Sequence, residues 1–213
     1  MLLGKLQSLL HELYALEVAY GVDDFLITDA RFARALDKGG REVDEKLLIA
    51  ETDGEAEVAL FLERELLERL TEHDPLTCLD DGNLADFWAA LEGVSHFTYY
   101  AWNAERDKSV TLFELELQAE VDKFVTTGLL LKQQSGREPH ELHTWLFDKP
   151  QLDSELQGAE RERYRRANRY AGKYCRRLGA AHARGADDEG MQIELRRFYR
   201  LSQQSKLAHI DAY

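Results

Sequence analysis

Lys46-Leu-Leu-Ile-Ala-Glu-Thr-Asp-Gly-Glu-Ala-Glu-Val-Ala-Leu-Phe61 decides between two architectures for this chain. Two largely apolar runs flank Asp53-Gly54, a dipeptide that accepts the positive φ angles of a tight hairpin turn. With this hairpin as part of the core the fold is α+β. With the hairpin as a minor appendage the chain is a nearly all-helical bundle, because the sequence on either side reads as helix.

Asp24-Phe-Leu-Ile-Thr28 supplies a third short apolar run. The expected sheet is therefore small, three-stranded and antiparallel, and it needs a helical cover on one face. Between the first two strands, residues 29–44 leave room for a short helix capped by Asp29 before Gly39-Gly40. Upstream, Leu2, Leu6, Leu9, Leu13, Leu16 and Tyr20 recur at intervals of four and three and form one helical seam that stops at Gly21. About three heptads are too few for a coiled coil, so the preferred partner of this seam is the chain's own core, and pairing of two protomers comes second.

Downstream, residues 63–72 read as helix up to Asp74-Pro75, and helix dominates from Asn83 onward. Thr111 with Glu114 is a capping box that opens a long helix towards Leu131, and Ser135-Gly136 ends it. Pro139 suits the first turn of a short helix through Trp145 and Phe147, which Asp148-Lys149-Pro150 closes. Two last helices are expected over about 154–183 and 189–210, separated by Arg184-Gly-Ala-Asp-Asp188. The predicted architecture is α+β and predominantly helical, a small sheet near the N-terminus packed against a multi-helix domain. Residues 1–213 are expected to form one domain, with helix and sheet in 1–80 and the helical part in 83–213.

Composition narrows the functional classes. In 213 residues, 44% are hydrophobic and 31% charged, which suits a folded core. No apolar run reaches the roughly 18 residues that span a bilayer, so no membrane partner is expected. Residues 1–10 lack the features of a signal peptide, and the two cysteines, Cys78 and Cys175, read as reduced thiols; both point to the cytoplasm. The net charge of −13 disfavours general adhesion to nucleic acid. Its distribution is uneven: residues 1–157 hold 14 Lys/Arg against 33 Asp/Glu, whereas residues 158–213 hold 13 against 7.

That asymmetry centres on the helix around residues 160–178. At 100° per residue, Tyr164, Ala167, Ala171, Tyr174, Cys175 and Leu178 share one side, while Arg165, Arg166, Arg169, Lys173, Arg176 and Arg177 share the other. Such a face can meet the chain's own acidic body, dock an acidic partner protein, or bind nucleic-acid phosphates. The third option is the weakest, since no zinc-finger spacing, aromatic RNA-binding signature or helix-turn-helix accompanies it.

A second constellation is polar on otherwise apolar helices. Glu92, His96, Tyr99 and Asn103 fall in one narrow arc, and on the next helix Glu116 and Glu120 align at i, i+4. Neighbouring antiparallel helices with facing stripes would bring Glu92, His96, Glu116 and Glu120 together. Carboxylates and an imidazole so placed suit a divalent transition metal or an acid/base pair. The ferritin-like Glu-x-x-His spacing is absent. His140 and His143 read as surface or capping residues, and Cys175 as a packed thiol. No motif identifies a reaction. The first functional expectation is a non-catalytic binding or adaptor protein that engages an acidic partner, or its own copy, through the basic helix. The alternative is a metal-binding or acid/base enzyme built on the Glu/His stripe, and the second alternative is a nucleic-acid-associated protein.

Overall fold

The computed structural model describes residues 1–37, 43–52, 55–136, 141–148, 156–183 and 188–212. In chain order these form α1 (Leu2–Tyr14), β1 (Leu26–Ile27), α2 (Ala30–Asp37), β2 (Glu45–Thr52), β3 (Glu55–Leu62), α3 (Arg64–Glu72), α4 (Leu84–Ala104), α5 (Leu112–Ser135), α6 (Gly158–Ala183), α7 (Asp188–Arg200) and α8 (Gln203–Asp211). The fold is α+β and mostly helical. β2 and β3 pair antiparallel from Glu45 opposite Leu62 to Thr52 opposite Glu55. Asp53-Gly54, Gly39-Gly40, Pro139, Lys149-Pro150 and residues 184–187 lie outside the described residues.

The expectation of a wholly antiparallel sheet is corrected: the strand order is β1-β3-β2, and β1 runs parallel to β3, Leu26 opposite Leu60 and Ile27 opposite Phe61. Alternation of apolar residues specifies which side chains share a face and carries no information on strand direction. The connection through α2 takes the chain across the hairpin, so β1 lies beside β3 and not beside β2.

Two helix boundaries also move. α1 ends at Ala15, whose φ of 48° is left-handed, and not at Gly21. Arg196 and Arg200 of α7 supply donors to the carbonyls at that end, Arg196 Nη2 to Glu12 O at 3.3 Å and Arg200 Nη2 to Ala15 O at 2.9 Å. Cations there also suit the negative pole of the helix. The last expected helix is two, because Ser202 adopts extended backbone angles and its hydroxyl accepts from Ser205 N, capping α8. The short helix expected through Trp145 and Phe147 is a single π turn, Thr144–Asp148.

The face of α1 that carries Leu3, Leu6, Leu10, Leu13 and Tyr14 is buried in a core shared with α4, α5, α6 and α7. Both cysteines are free, Cys78 exposed and Cys175 buried. Among the described residues no helix is long and apolar enough to cross a membrane.

α5 is buried nearly all round, and polar side chains leave it on two opposite faces. On one, Asp122 accepts from Ser95 Oγ at 2.5 Å, from Gln118 Nε2 at 2.9 Å and from Tyr14 OH. Lys206 of α8 closes this network by donating to Gln118 Oε1 at 2.7 Å. Its ammonium lies over the rings of Tyr99 (4.4 Å) and Phe198 (4.9 Å). Complete burial pulls Lys206 down to about 7, against the pull of Glu114 and Asp122.

A lysine so depressed loses its proton in the folded state first. Between about pH 7 and its ordinary 10.5 the unfolded chain therefore holds the extra proton, and this group's contribution to stability rises with pH. His96, lifted to about 9, acts in the opposite direction over much of that window. Comparison with Lys206→Met separates the two. In urea unfolding at pH 7 and pH 9, the wild type should gain on the variant by roughly 1.4 kcal/mol per pKa unit traversed; parallel pH profiles would contradict the assignment.

Candidate metal centre

The other polar face of α5 meets α4 and the sheet. Glu92 and His96, one turn apart on α4, point the same way, and β2 brings Glu45 to them. Along β2, Glu45 shares the helix-facing side with Leu47, while Lys46 and Leu48 face α2. Close approach of the strand depends on Gly93. A Cβ at that position would lie 2.9 Å from both Glu45 Cγ and Leu60 Cδ1, far inside van der Waals contact.

Within this junction one donor atom each from Glu45, Glu92 and His96 lies within 4.8 Å of the others. His96 Nδ1 is 3.4 Å from Glu45 Oε1, and His96 Nε2 is 3.7 Å from Glu116 Oε2 on α5. Neither contact is a formed hydrogen bond, and both Glu45 Oε1 and His96 Nε2 are buried without a partner. They are two of seven buried side-chain atoms without a partner among the described residues, and the two that lie together in one cluster of metal-ligating side chains. The rest of the cluster is tied down. Lys123 Nζ contacts Glu92 Oε2 at 3.0 Å and Glu120 Oε1 at 2.5 Å, and Arg163 Nε of α6 reaches Glu116 Oε1 at 3.4 Å. Asn168 Nδ2 donates to Glu120 Oε2 at 2.8 Å.

Four carboxylates thus face two permanent cations, a surplus of two negative charges in a site from which most water is removed. The titration behaviour follows. Burial raises Glu45 and lifts Glu116 to about 7. Burial opposes the His96 imidazolium, but Glu45, Glu116 and Glu92 overcome it and hold His96 at about 9. Glu92 is lowered, burial notwithstanding, because Lys123 is beside it. Tyr164 of α6 is raised, first by burial and then by the charges of Glu116, Glu92 and Glu45, which places its phenol within their field.

Of the four candidates read from the helical stripes, Glu92, His96 and Glu116 come together. Glu120 turns away to Lys123 and Asn168. Tyr99 and Asn103, lower on the same stripe, belong elsewhere: Asn103 Nδ2 donates to Tyr99 O, and Tyr99 packs on Lys206. His140 lies outside the described residues. His143 Nε2 contacts Gly172 O at 2.9 Å and its ring packs against Phe124 and Phe147. Glu45, Lys123 and Arg163 are not singled out by helical spacing, which places Tyr164 only on the apolar side of its helix. The available signals were a glutamate in phase with Leu47 on a strand, and Lys123 seven residues after Glu116 on one helical stripe.

The cations of α6 divide into two groups. Lys173 pairs with Asp211 at 2.9 Å, Arg176 with Asp148 at 3.3 Å, and Arg177 with Glu194 at 3.4 Å. Arg166 lies over Phe113 and Arg169 over Tyr170, and these two with Arg165 are exposed. On the opposite side of the sheet from Glu45, a groove of about 640 Å³ runs under α2 between Arg31, Arg34, Asp37, Lys46 and Phe61. Its charges are mixed and Lys46 meets Asp37 across it at 2.5 Å; none of the groove's lining residues carries one of the buried unpartnered side-chain atoms found among the described residues.

Comparison of the chain with protein-family models, with curated proteins and with solved structures finds no match.

Gly93→Ala tests how the centre is assembled. The added methyl must push Glu45 and β2 away from α4, at a cost of about 1–3 kcal/mol for overpacking. His96 then loses the carboxylate at its Nδ1, and its pKa, followed by NMR of the imidazole, should fall from about 9 towards the ordinary 6.5. An unchanged His96 titration in a folded variant would show that Glu45 does not hold the ring.

Proposed function

We propose that this chain is a metal-binding protein that holds one divalent transition-metal ion between Glu45, Glu92 and His96. The observation that carries the proposal is the convergence of these three donors within 4.8 Å, with two atoms of the cluster, Glu45 Oε1 and His96 Nε2, buried and unpartnered. An imidazole nitrogen with carboxylate oxygens suits Mn(II), Fe(II) or Zn(II), whereas calcium and magnesium favour oxygen donors alone. Charge supports the same reading: two positive charges balance the surplus of the four carboxylates while leaving the imidazole neutral, as a ligand must be. Glu116, 3.7 Å from His96 Nε2 and anchored by Arg163, is placed to take up or release a proton beside the ion.

The reading of α6 as a docking face for an acidic protein is second. It rests on Arg165, Arg166 and Arg169, which are exposed, while Lys173, Arg176 and Arg177 already meet carboxylates of the chain itself. Retention on immobilised polyglutamate that charge reversal at Arg165 and Arg169 abolishes would carry it.

For the metal reading, calorimetric titration of metal-stripped protein with Mn(II), anaerobic Fe(II) and Zn(II) should give one ion per chain. Ion at about 100 times its Kd should add about 2.7 kcal/mol to stability. His96→Leu should lose both effects. No uptake by the wild type, or equal uptake by His96→Leu, would overturn the proposal.

A further inference from the structure

The cluster contains a second place for a cation, and a side chain fills it. Lys123 Nζ sits between Glu92 Oε2 (3.0 Å) and Glu120 Oε1 (2.5 Å), buried at the centre of the α4–α5–α6 contact. Glu120 does not swing towards His96, because Asn168 Nδ2 holds its other oxygen at 2.8 Å and is itself fixed by donating to Leu146 O at 2.9 Å. Glu92 therefore serves two positive centres at once. It belongs to the donor set with Glu45 and His96, and it also pairs with the ammonium. A carboxylate shared between two cationic positions, each completed by another glutamate, is the layout of a two-metal carboxylate centre. Here one of the two charges is covalently part of α5.

We infer that Lys123 is the second cation of this centre, a fixed ammonium that restricts the site to one metal ion. The inference rests on the metal-binding reading above and adds to it a specificity-determining residue. Electrostatics gives it direction. Removal of the ammonium takes away the cation that Glu92 and Glu120 share and, before any ion binds, raises the negative surplus of the four carboxylates from two to three, with Arg163 as the remaining permanent counter-charge among the described residues. Truncation to alanine also vacates the volume of three methylenes and an ammonium between two carboxylates. A buried, roomy, doubly anionic position is one that takes a divalent ion in preference to remaining uncompensated. Replacement by histidine goes further, since it supplies a nitrogen donor beside Glu92 and Glu120.

The test is the metal stoichiometry of full-length chain under native electrospray mass spectrometry and elemental analysis, after reconstitution with Zn(II) and removal of loosely held ion. The wild type should retain one zinc. Lys123→Ala and Lys123→His, with helical content checked by circular dichroism, should each retain two. The double variants that also carry Glu120→Ala should return to one. A folded Lys123→Ala or Lys123→His that still retains one zinc overturns the inference and leaves the one-metal reading standing. A wild type that retains two overturns it even if neither variant folds. A wild type that retains none sinks the metal-binding reading itself, and this inference with it.

Discussion

The imidazole of His96 held between Glu45 and Glu116 is the contact on which the arrangement of strand and helices depends. It is the point where β2, α4 and α5 meet, and it puts ionisable groups where an apolar core would ordinarily lie. Burial of unpaired charge costs several kcal/mol per ion unless partners are close and well placed. Here the surrounding fold supplies those partners from four elements: Lys123 from α5, Arg163 and Asn168 from α6, Glu92 from α4 and Glu45 from β2. The mutual constraint explains Gly93. Only a residue without a side chain lets the strand come close enough for Glu45 to reach the ring. Two atoms are still left without partners, so as a purely structural network the cluster is incomplete.

α5 carries this cost on one face and a different polar network on the other. Glu116, Glu120 and Lys123 lie along one stripe, while Gln118 and Asp122 project roughly opposite. Every member of the second network has a partner: Asp122 has three donors, and Gln118 joins Tyr14 to Lys206. It ties α1 and α8, the first and last helices of the chain, to the centre of the molecule. One face of α5 is thus a closed structural network, and the other adjoins a cluster with more carboxylate acceptors than donors to fill them. The contrast between them separates a fold-stabilising polar core from a candidate site more sharply than burial alone.

The sequence made part of this legible. Hairpin and capping box are local signals, and the β2–β3 pairing and Thr111 with Glu114 express them in the structure; the seam of α1 is expressed in part, since Leu6 and Leu13 are buried as expected while Leu3, Leu10 and Tyr14 join them in place of Leu2, Leu9 and the exposed Tyr20. The parallel pairing of β1 with β3 and the left-handed Ala15 are not local in that sense, because each is set by what the segment packs against; the break at Ser202 is local, an N-cap whose hydroxyl accepts from Ser205 N, masked by the continuous helical pattern around it. The same division runs through the site. Glu92, His96 and Glu116 sit on two successive helices, and the structure turns their stripes towards each other. Glu45 comes from a strand 47 residues before Glu92, and its place depends on a glycine-mediated approach that no periodicity encodes. Glu120 fits the stripe and still leaves it, because Lys123, one turn on, takes it first. In the same way the basic helix α6 shows its six outward cations and the apolar side of Tyr164 in sequence, while Arg163 and Asn168, which turn inward to the cluster, carry no local mark.

The most direct measurement is X-ray absorption at the zinc edge of the protein loaded with one equivalent of Zn(II). The account predicts a first shell of carboxylate oxygens with one imidazole nitrogen at about 2.0–2.1 Å, whose multiple-scattering signature disappears in His96→Leu. A shell of oxygens alone, or an imidazole signal unaffected by that substitution, would place the ion elsewhere and contradict the central claim.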